Sequence, residues 1–273
     1  VTSASDAETL IHFSRGMDVS DFDGDSSTTD LRSWLLGDSL HSQVMPVNYG
    51  AMGAFSTTNP DMRLLMGSND GTMHMFQDTN SAGDQVGVEN WGFIPLEVAG
   101  QLSRFKSNIA GTPKHPHMVD GAAVTYTKDV NGDGTVQSAS GDLVYAYFGL
   151  RRGGKSYYAL DITDPDAPAM LWSAKQSVGS NFSEMGLTFS DPRVKTISYA
   201  VGDTIYSNQP VLIFGGGYDV NKDTNVLPGT DDTTGNAIYI VNAASGALIW
   251  KVTYGATTEP AAGDSALFYH ADM

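Results

Sequence analysis

The stretch with the clearest chemical pattern is Asp129-Val130-Asn131-Gly132-Asp133-Gly134-Thr135-Val136-Gln137. Oxygen-bearing side chains at loop positions 1, 3 and 5 can converge on one point. Gly134 at position 6 permits a sharp turn, and Thr135 at position 7 can offer its backbone carbonyl. This is the front half of an EF-hand-type loop. The ion it suits is Ca²⁺, a hard cation that takes about six to eight oxygens. Position 12 is Ser140 where an EF-hand has Glu. Asp142 can fold back with the missing carboxylate if Ser138-Ala139-Ser140-Gly141 turns, and Gln137 is the other completing ligand. The candidate set is therefore Asp129, Asn131, Asp133, Thr135, Gln137 and Asp142. An Asx-rich turn without metal competes with this reading, since Asn-Gly and Asp-Gly are ordinary hairpin pairs. The full spacing asks for more than a turn needs.

Two other acidic loops are weaker. Asp21-Phe22-Asp23-Gly24-Asp25-Ser26-Ser27 has the alternating carboxylates but no Gly at position 6. Asp219-Val220-Asn221-Lys222-Asp223-Thr224-Asn225 repeats the spacing, yet Lys222 puts a positive charge beside it. Both read as solvated loops, the first with the better charge count. Catalytic constellations are missing. His12, His41, His74, His115, His117 and His270 are scattered, and the close pair His115-Pro116-His117 lacks further zinc ligands at a useful spacing. Ser42, His41 and Asp38 supply the three side-chain types of a triad, but contiguity is not triad geometry. There is no Gly-x-Ser-x-Gly, no P-loop and no nicotinamide fingerprint, and Gly215-Gly216-Gly217 leads into Tyr218-Asp219 rather than a helix. The chain reads as a non-enzyme.

The elements that must hold these loops are strands. The 273 residues are 41% hydrophobic, enough to bury a core, and the 30 Gly imply many tight turns. Short runs rich in Tyr, Val and Ile between turn clusters read as antiparallel β. The exception is Ala7 to Arg15, a helix whose stripe of Leu10, Ile11 and Phe13 stops at Gly16. Asp18 to Asp30 follows as an acidic loop. Residues 1–30 thus form a lead-in, and 31–273 the β domain.

Three runs in that domain share a layout: an apolar strand ending in Gly, a polar turn, then a second strand. They are Leu64–Phe76, Val144–Asp161 and Val211–Trp250. The last two finish with a strand closed by Trp, at Trp172 and Trp250. Repetition of this order is how propeller blades are written, each burying its face on the next. The equivalent glycines Gly67, Gly149 and Gly215 are 82 and 66 residues apart. A minimal blade takes roughly 40–45 residues, so the loops carry insertions. Ring closure takes about four to eight blades, so three imply a partial β-propeller within a longer protein. A start at Val1 with no leader fits a mature product or an excised fragment. Leu65, Tyr145, Tyr158, Ile238 and Ile240 should be buried.

Charge narrows the partners. Fifteen Lys+Arg against 31 Asp+Glu give −16, which disfavours nucleic acid and anionic membrane surfaces and favours divalent cations. No apolar run reaches the roughly 20 residues of a membrane span. The absence of Cys excludes disulfides and thiolate chemistry.

The order of motifs resembles the PilC/PilY family of type IV pilus tip-associated adhesins and biogenesis factors. The residues that carry the likeness are Leu36 to Ser42, Gly67 to His74, Gly153 to Asp161 and Gly215 to Asp219, over roughly Gly16 to the C-terminus. In that family the residue at the place of Gln137 is usually Asp. The resemblance implies a quinoprotein-dehydrogenase-like propeller, and a location outside the cell at the pilus tip or bacterial surface. It also implies minor pilins of the tip complex as partners and a role in adhesion to a host or abiotic surface. The leading expectation is a non-enzymatic, calcium-binding pilus-tip adhesin and biogenesis factor. The alternatives are a quinone-dependent dehydrogenase-like propeller and a structural propeller without metal.

Overall fold

A computed structural model describes residues 3–107, 115–175, 177, 179–223 and 231–253. Its twelve strands form three four-stranded antiparallel meanders. The first contains β1 (Met45–Asn48), β2 (Met62–Gly67), β3 (Met73–Thr79) and β4 (Gln85–Phe93). The second contains β5 (Val124–Lys128), β6 (Leu143–Gly149), β7 (Ser156–Asp161) and β8 (Ala169–Lys175). The third contains β9 (Arg193–Val201), β10 (Thr204–Gly215), β11 (Ala237–Asn242) and β12 (Leu248–Thr253). The all-β, blade-like class read from the sequence is what the chain has. The described residues contain three such units and no closed ring.

The middle sheet shows why the units pack in series. In β6, Val144, Ala146 and Phe148 enter one core with Leu65, Met73 and Met75 of the first sheet. Tyr145 and Tyr147, one residue out of phase, enter a second core with Leu212, Phe214, Tyr239 and Val241 of the third sheet. β7 divides in the same way, Tyr158 and Leu160 on one side and Tyr157 and Ala159 on the other. A strand covered on both faces loses the apolar/polar alternation and becomes a continuous apolar run. Leu143-Val144-Tyr145-Ala146-Tyr147-Phe148 is such a run. Ring contacts tie the layers: Tyr157 and Phe214 have centroids 4.3 Å apart, Phe93 and Tyr158 6.1 Å.

Tryptophans on the fourth strands add polar ties. Trp91 in β4 donates its indole N–H to Pro165 O, 2.9 Å, in the β7–β8 turn of the next sheet. Trp172 in β8 donates to Ala243 O, also 2.9 Å, in the β11–β12 turn of the sheet after. Gly246 in that turn lets the ring lie flat, because a Cβ there would meet it at 2.7 Å. Arg63 of β2, 4% exposed, is paired with Asp61 and reaches Asp166 of the second sheet at 3.1 Å.

Several expectations need correction. Leu65, Tyr145 and Tyr158 are buried, but Ile238 and Ile240 are only half-buried. Tyr239 and Val241 take the inner face of β11, because they meet the second sheet. The helix is α1 (Ala4–Ser14), capped where Ser3 Oγ accepts from Asp6 N. Leu10 and Phe13 are buried, whereas Ile11 points outward. Two short helices not anticipated, α2 (Leu96–Ala99) and α3 (Leu102–Ser107), follow β4, and Phe13 meets Phe105 edge-on. Each unit has four strands rather than three. His270 lies outside the described residues, as do Thr224 and Asn225 of the third acidic loop. Among the described residues no helix is long and apolar enough to cross a membrane.

Candidate metal centre

The loop 129–142 closes the β5–β6 hairpin, whose last pair is Lys128 opposite Leu143. The candidate oxygens are organised by the backbone they surround. Asp129 accepts from Gly132 N through Oδ1 (2.7 Å) and from Gly134 N through Oδ2 (2.8 Å). Both glycines have positive φ, +72° and +77°, a region side-chain-bearing residues rarely enter. Asn131 Oδ1 accepts from Asp133 N, and Asp133 Oδ1 from Thr135 N. Asn131 Nδ2 donates to Asp133 Oδ2 at 2.9 Å, bringing positions 3 and 5 together. Backbone donation, from Gly134 foremost and against a small cost of burial, holds the Asp129 carboxyl below the usual carboxylate range.

Asp142 does fold back. Ser138–Ser140 makes one 3₁₀ turn and Gly141 takes φ +83°. The Asp142 carboxylate, 1% exposed, then accepts from Val130 N and Gln137 N, each at 2.8 Å. It clasps the two arms of the loop from beneath. Gln137 Nε2 approaches Asp133 Oδ2 at 3.5 Å. The six candidate residues therefore occupy one loop, with Asn131 and Asp133 exposed, Asp129 half-buried and Asp142 buried under them. The donor set is all oxygen and amide, which fits a hard cation.

The loop is braced from outside. Val136 N donates to Tyr49 O, and Ala51 N to Thr135 Oγ1. Gly50 touches the loop so closely that a Cβ there would collide with Gly134 O. Nothing in the sequence linked the β1–β2 loop to this one.

The other sequence candidates resolve differently. Among the described residues the three carboxylates within 4.8 Å of one another are Asp21, Asp23 and Asp25, in the loop that lacked the position-6 Gly. Asp219 accepts from Asn221, Thr233 and Thr234 N–H groups; burial opposes its charge, but these bonds pull it down to about 2. Asp223 is paired with Arg152 at 2.7 Å and Lys222 with Asp232 at 3.1 Å. Ser42 Oγ accepts from Gly67 N, while His41 Nδ1 meets Asp120 at 2.6 Å, so the triad side chains have separate structural partners. His74 lies between Asp70 and Glu89. Residues 36–42 and 67–74 form a joint: Asn69 bonds Asp38 through N and Nδ2, and Gly37 N donates to Asp70.

No family model matches the chain. Among curated proteins, the type IV pilus biogenesis factor PilY1 of Pseudomonas aeruginosa strain UCBPP-PA14 is 30% identical over 212 residues, 72% of this chain and 16% of that protein. A PilY1 homolog of Xylella fastidiosa strain Temecula1 is 27% identical over 228 residues, 82% of this chain and 13% of its own length. The chain thus spans between 13% and 16% of these relatives. Among solved structures, the C-terminal domain of P. aeruginosa PilY1 is similar, with TM-score 0.44 and 23% identity over 74% of this chain and 31% of that one. The motif order and the likeness across most of the chain agree: this chain belongs to the PilC/PilY family.

Proposed function

We propose that this chain is a β-sheet segment of a type IV pilus biogenesis factor, working at the pilus or cell surface as a non-enzymatic, calcium-stiffened adhesin. The names of its relatives support the pilus role. The observation that carries the calcium reading is the hairpin loop itself. Asn131 and Asp133 meet on one exposed rim, half-buried Asp129 gathers the Gly132 and Gly134 N–H groups, and buried Asp142 bonds the two arms of the loop beneath. Asp129, Asn131 and Asp133 would ligate through side chains and Thr135 through its carbonyl, with Gln137 or Asp142 completing the shell. The bound ion would neutralise the rim and rigidify the loop against Tyr49–Ala51. Minor pilins of the tip complex are the proposed partners, with a host or abiotic surface beyond them.

The experiment is a calcium titration followed by thermal melting. Extracellular calcium modules have dissociation constants on the order of 10⁻⁴ to 10⁻³ M. At about 100 times that constant, binding stabilises the fold by roughly 2.7 kcal/mol. For a domain of this size each kcal/mol moves Tm by roughly 2–4 °C, so a rise of about 5–10 °C is expected. Mg²⁺ should mimic it weakly, because it gives up its waters reluctantly. Asp133→Ala should abolish the shift. A melting curve indifferent to calcium and chelator would sink the reading.

A further inference from the structure

The hairpin of β9 and β10 outruns the sheet it belongs to. β11 pairs with β10 only over Val211–Gly215, and β9 meets that stretch with Arg193–Lys195. Beyond it the hairpin continues as a two-stranded arm, from Thr196 through the turn at Gly202-Asp203 and back to Gln209. Every residue from Ala200 to Asn208 is exposed, Val201 at 56% and Ile205 at 75% among them. A lone two-stranded ribbon is marginally stable in water, and its unpaired N–H and C=O groups are a template for another strand.

The two edges of the arm differ. On β10 a bulge sets Ser207 and Asn208 together opposite Ser198, Asn208 takes φ +51°, and Pro210 has no N–H to offer. Bulges and prolines are how natural sheets close an edge to foreign strands. β9 has neither Gly nor Pro between Arg193 and Val201, and its Thr-Ile-Ser-Tyr-Ala-Val stretch is uncharged and rich in strand formers. β9 ends its sheet, and among the described residues no backbone hydrogen bond reaches its outer edge. The open edge is therefore that of β9.

A second β9 fits that edge. Side chains alternate along a strand, so Lys195, Ile197, Tyr199 and Val201 share a face. Tyr199 is fixed there by stacking on Tyr206, centroids 5.0 Å apart, and by accepting from Asn242 Nδ2 at 3.4 Å. Antiparallel pairing about a two-fold axis at Tyr199 sets Tyr199 opposite the partner's Tyr199. Ile197 then meets the partner's Val201, and Lys195 the partner's Asp203. Ring faces ring, aliphatic faces aliphatic and cation faces anion, the cross-strand pairs that stabilise a sheet. An axis at Ile197 would instead oppose Lys195 to the partner's Tyr199 and Arg193 to the partner's Val201. Among the described residues neither Lys195 nor Asp203 makes an ion pair, so both are available. Asp203 is also the single charge between Thr196 and Gln209, in a chain of net charge −16, so two copies repel least here.

We propose that β9 is a self-association edge: two copies of the chain pair it antiparallel about Tyr199, joining two four-stranded sheets into one of eight strands.

The test is sedimentation velocity on the whole chain at about 0.15 M salt, where charges are screened beyond roughly 8 Å. A monomer–dimer equilibrium should appear as concentration rises. Lys195→Asp and Asp203→Lys each oppose like charges twice per dimer and should weaken it by about tenfold. The double variant, which swaps the two charges, should recover the parent's affinity. Because the chain has no Cys, single cysteines give a second readout. Tyr199→Cys should cross-link to itself under mild oxidation, since opposed Cα atoms lie about 4.5–5.5 Å apart, within the span of a disulfide. Val201→Cys should not, because the same position in the partner lies four residues along the strand, about 13 Å away. The proposal is overturned if the chain stays monomeric up to about 1 mM. It is equally overturned if the charge variants, folded by circular dichroism, associate like the parent, or if the double variant stays as weak as the singles. Cross-linking of Val201→Cys as readily as Tyr199→Cys would overturn it too.

Discussion

Replacing Trp172 by Phe tests whether the sheets are joined through the fourth-strand tryptophans. The indole N–H bonds Ala243 O, and Ala243 is fully buried at 0% exposure. Phenylalanine leaves that carbonyl without a partner, which costs about 1–3 kcal/mol. It also removes two or three ring atoms packed on Gly246 and Tyr147. At about 0.8 kcal/mol per buried CH₂-sized group, that adds roughly 1.6–2.4 kcal/mol. The expected loss is therefore about 3–5 kcal/mol, read as a lower urea midpoint at unchanged slope. Trp250 occupies the same place in β12 but is 39% exposed, and its indole N–H has no hydrogen bond among the described residues. Trp250→Phe should stay within about 0.5 kcal/mol. Trp91→Phe, which breaks the bond to Pro165 O from a half-buried site, should fall between them. Equal losses in all three variants, or a harmless Trp172→Phe, would refute the idea that these bonds tie each sheet to the next.

His74 gives a pH prediction. Burial works against its charge, but the hydrogen bonds with Asp70 and Glu89 outweigh that and raise it from 6.5 to about 9. Its contribution should be complete below pH 6.5, fade as pH rises through about 9, and be absent above. Denaturation midpoints of His74→Gln should fall less over that window than those of the parent; equal slopes would show that His74 does not carry the effect. Tyr239→Ala should cost about 3–5 kcal/mol and Ile240→Ala clearly less, since Tyr239 faces the core and its neighbour does not. A reversed order in urea denaturation would contradict the assigned face of β11. Gly50→Ala should both destabilise the chain and weaken its calcium response, because the added methyl pushes on Gly134 and Gly50 has φ +71°. A variant that melts lower but titrates calcium like the parent would separate the two loops.

Much of the architecture was legible because its signals are local. Runs such as Leu143–Phe148 and Ala237–Val241, punctuated by Ser68-Asn69-Asp70-Gly71 or Arg151-Arg152-Gly153-Gly154, can be read within a dozen residues as strand, turn and strand. The spacing of Asp129, Asn131 and Asp133 around Gly132 and Gly134 is likewise a property of one short segment. The fold-back of Asp142 needed only the turn at Ser138–Gly141. Strands β1, β4 and β9 were missed, because their exposed or mixed residues acquire strand character only by pairing with β2, β3 and β10.

Facing and convergence were decided by tertiary structure. Period-2 alternation divides β11 into two faces, but both are apolar. Only the second sheet, arriving with Tyr145 and Trp172, selects Tyr239 and Val241 as the inner pair over Ile238 and Ile240. The brace of the candidate calcium loop comes from Tyr49–Ala51, about 85 residues upstream, and no local pattern records a contact at that separation. The convergence of Asp21, Asp23 and Asp25 depends on how the chain between Met17 and Leu31 closes on itself. Sequence periodicity sets which side chains share a face; what covers that face is decided by burial against partners distant in the chain, and that is a property of the folded whole.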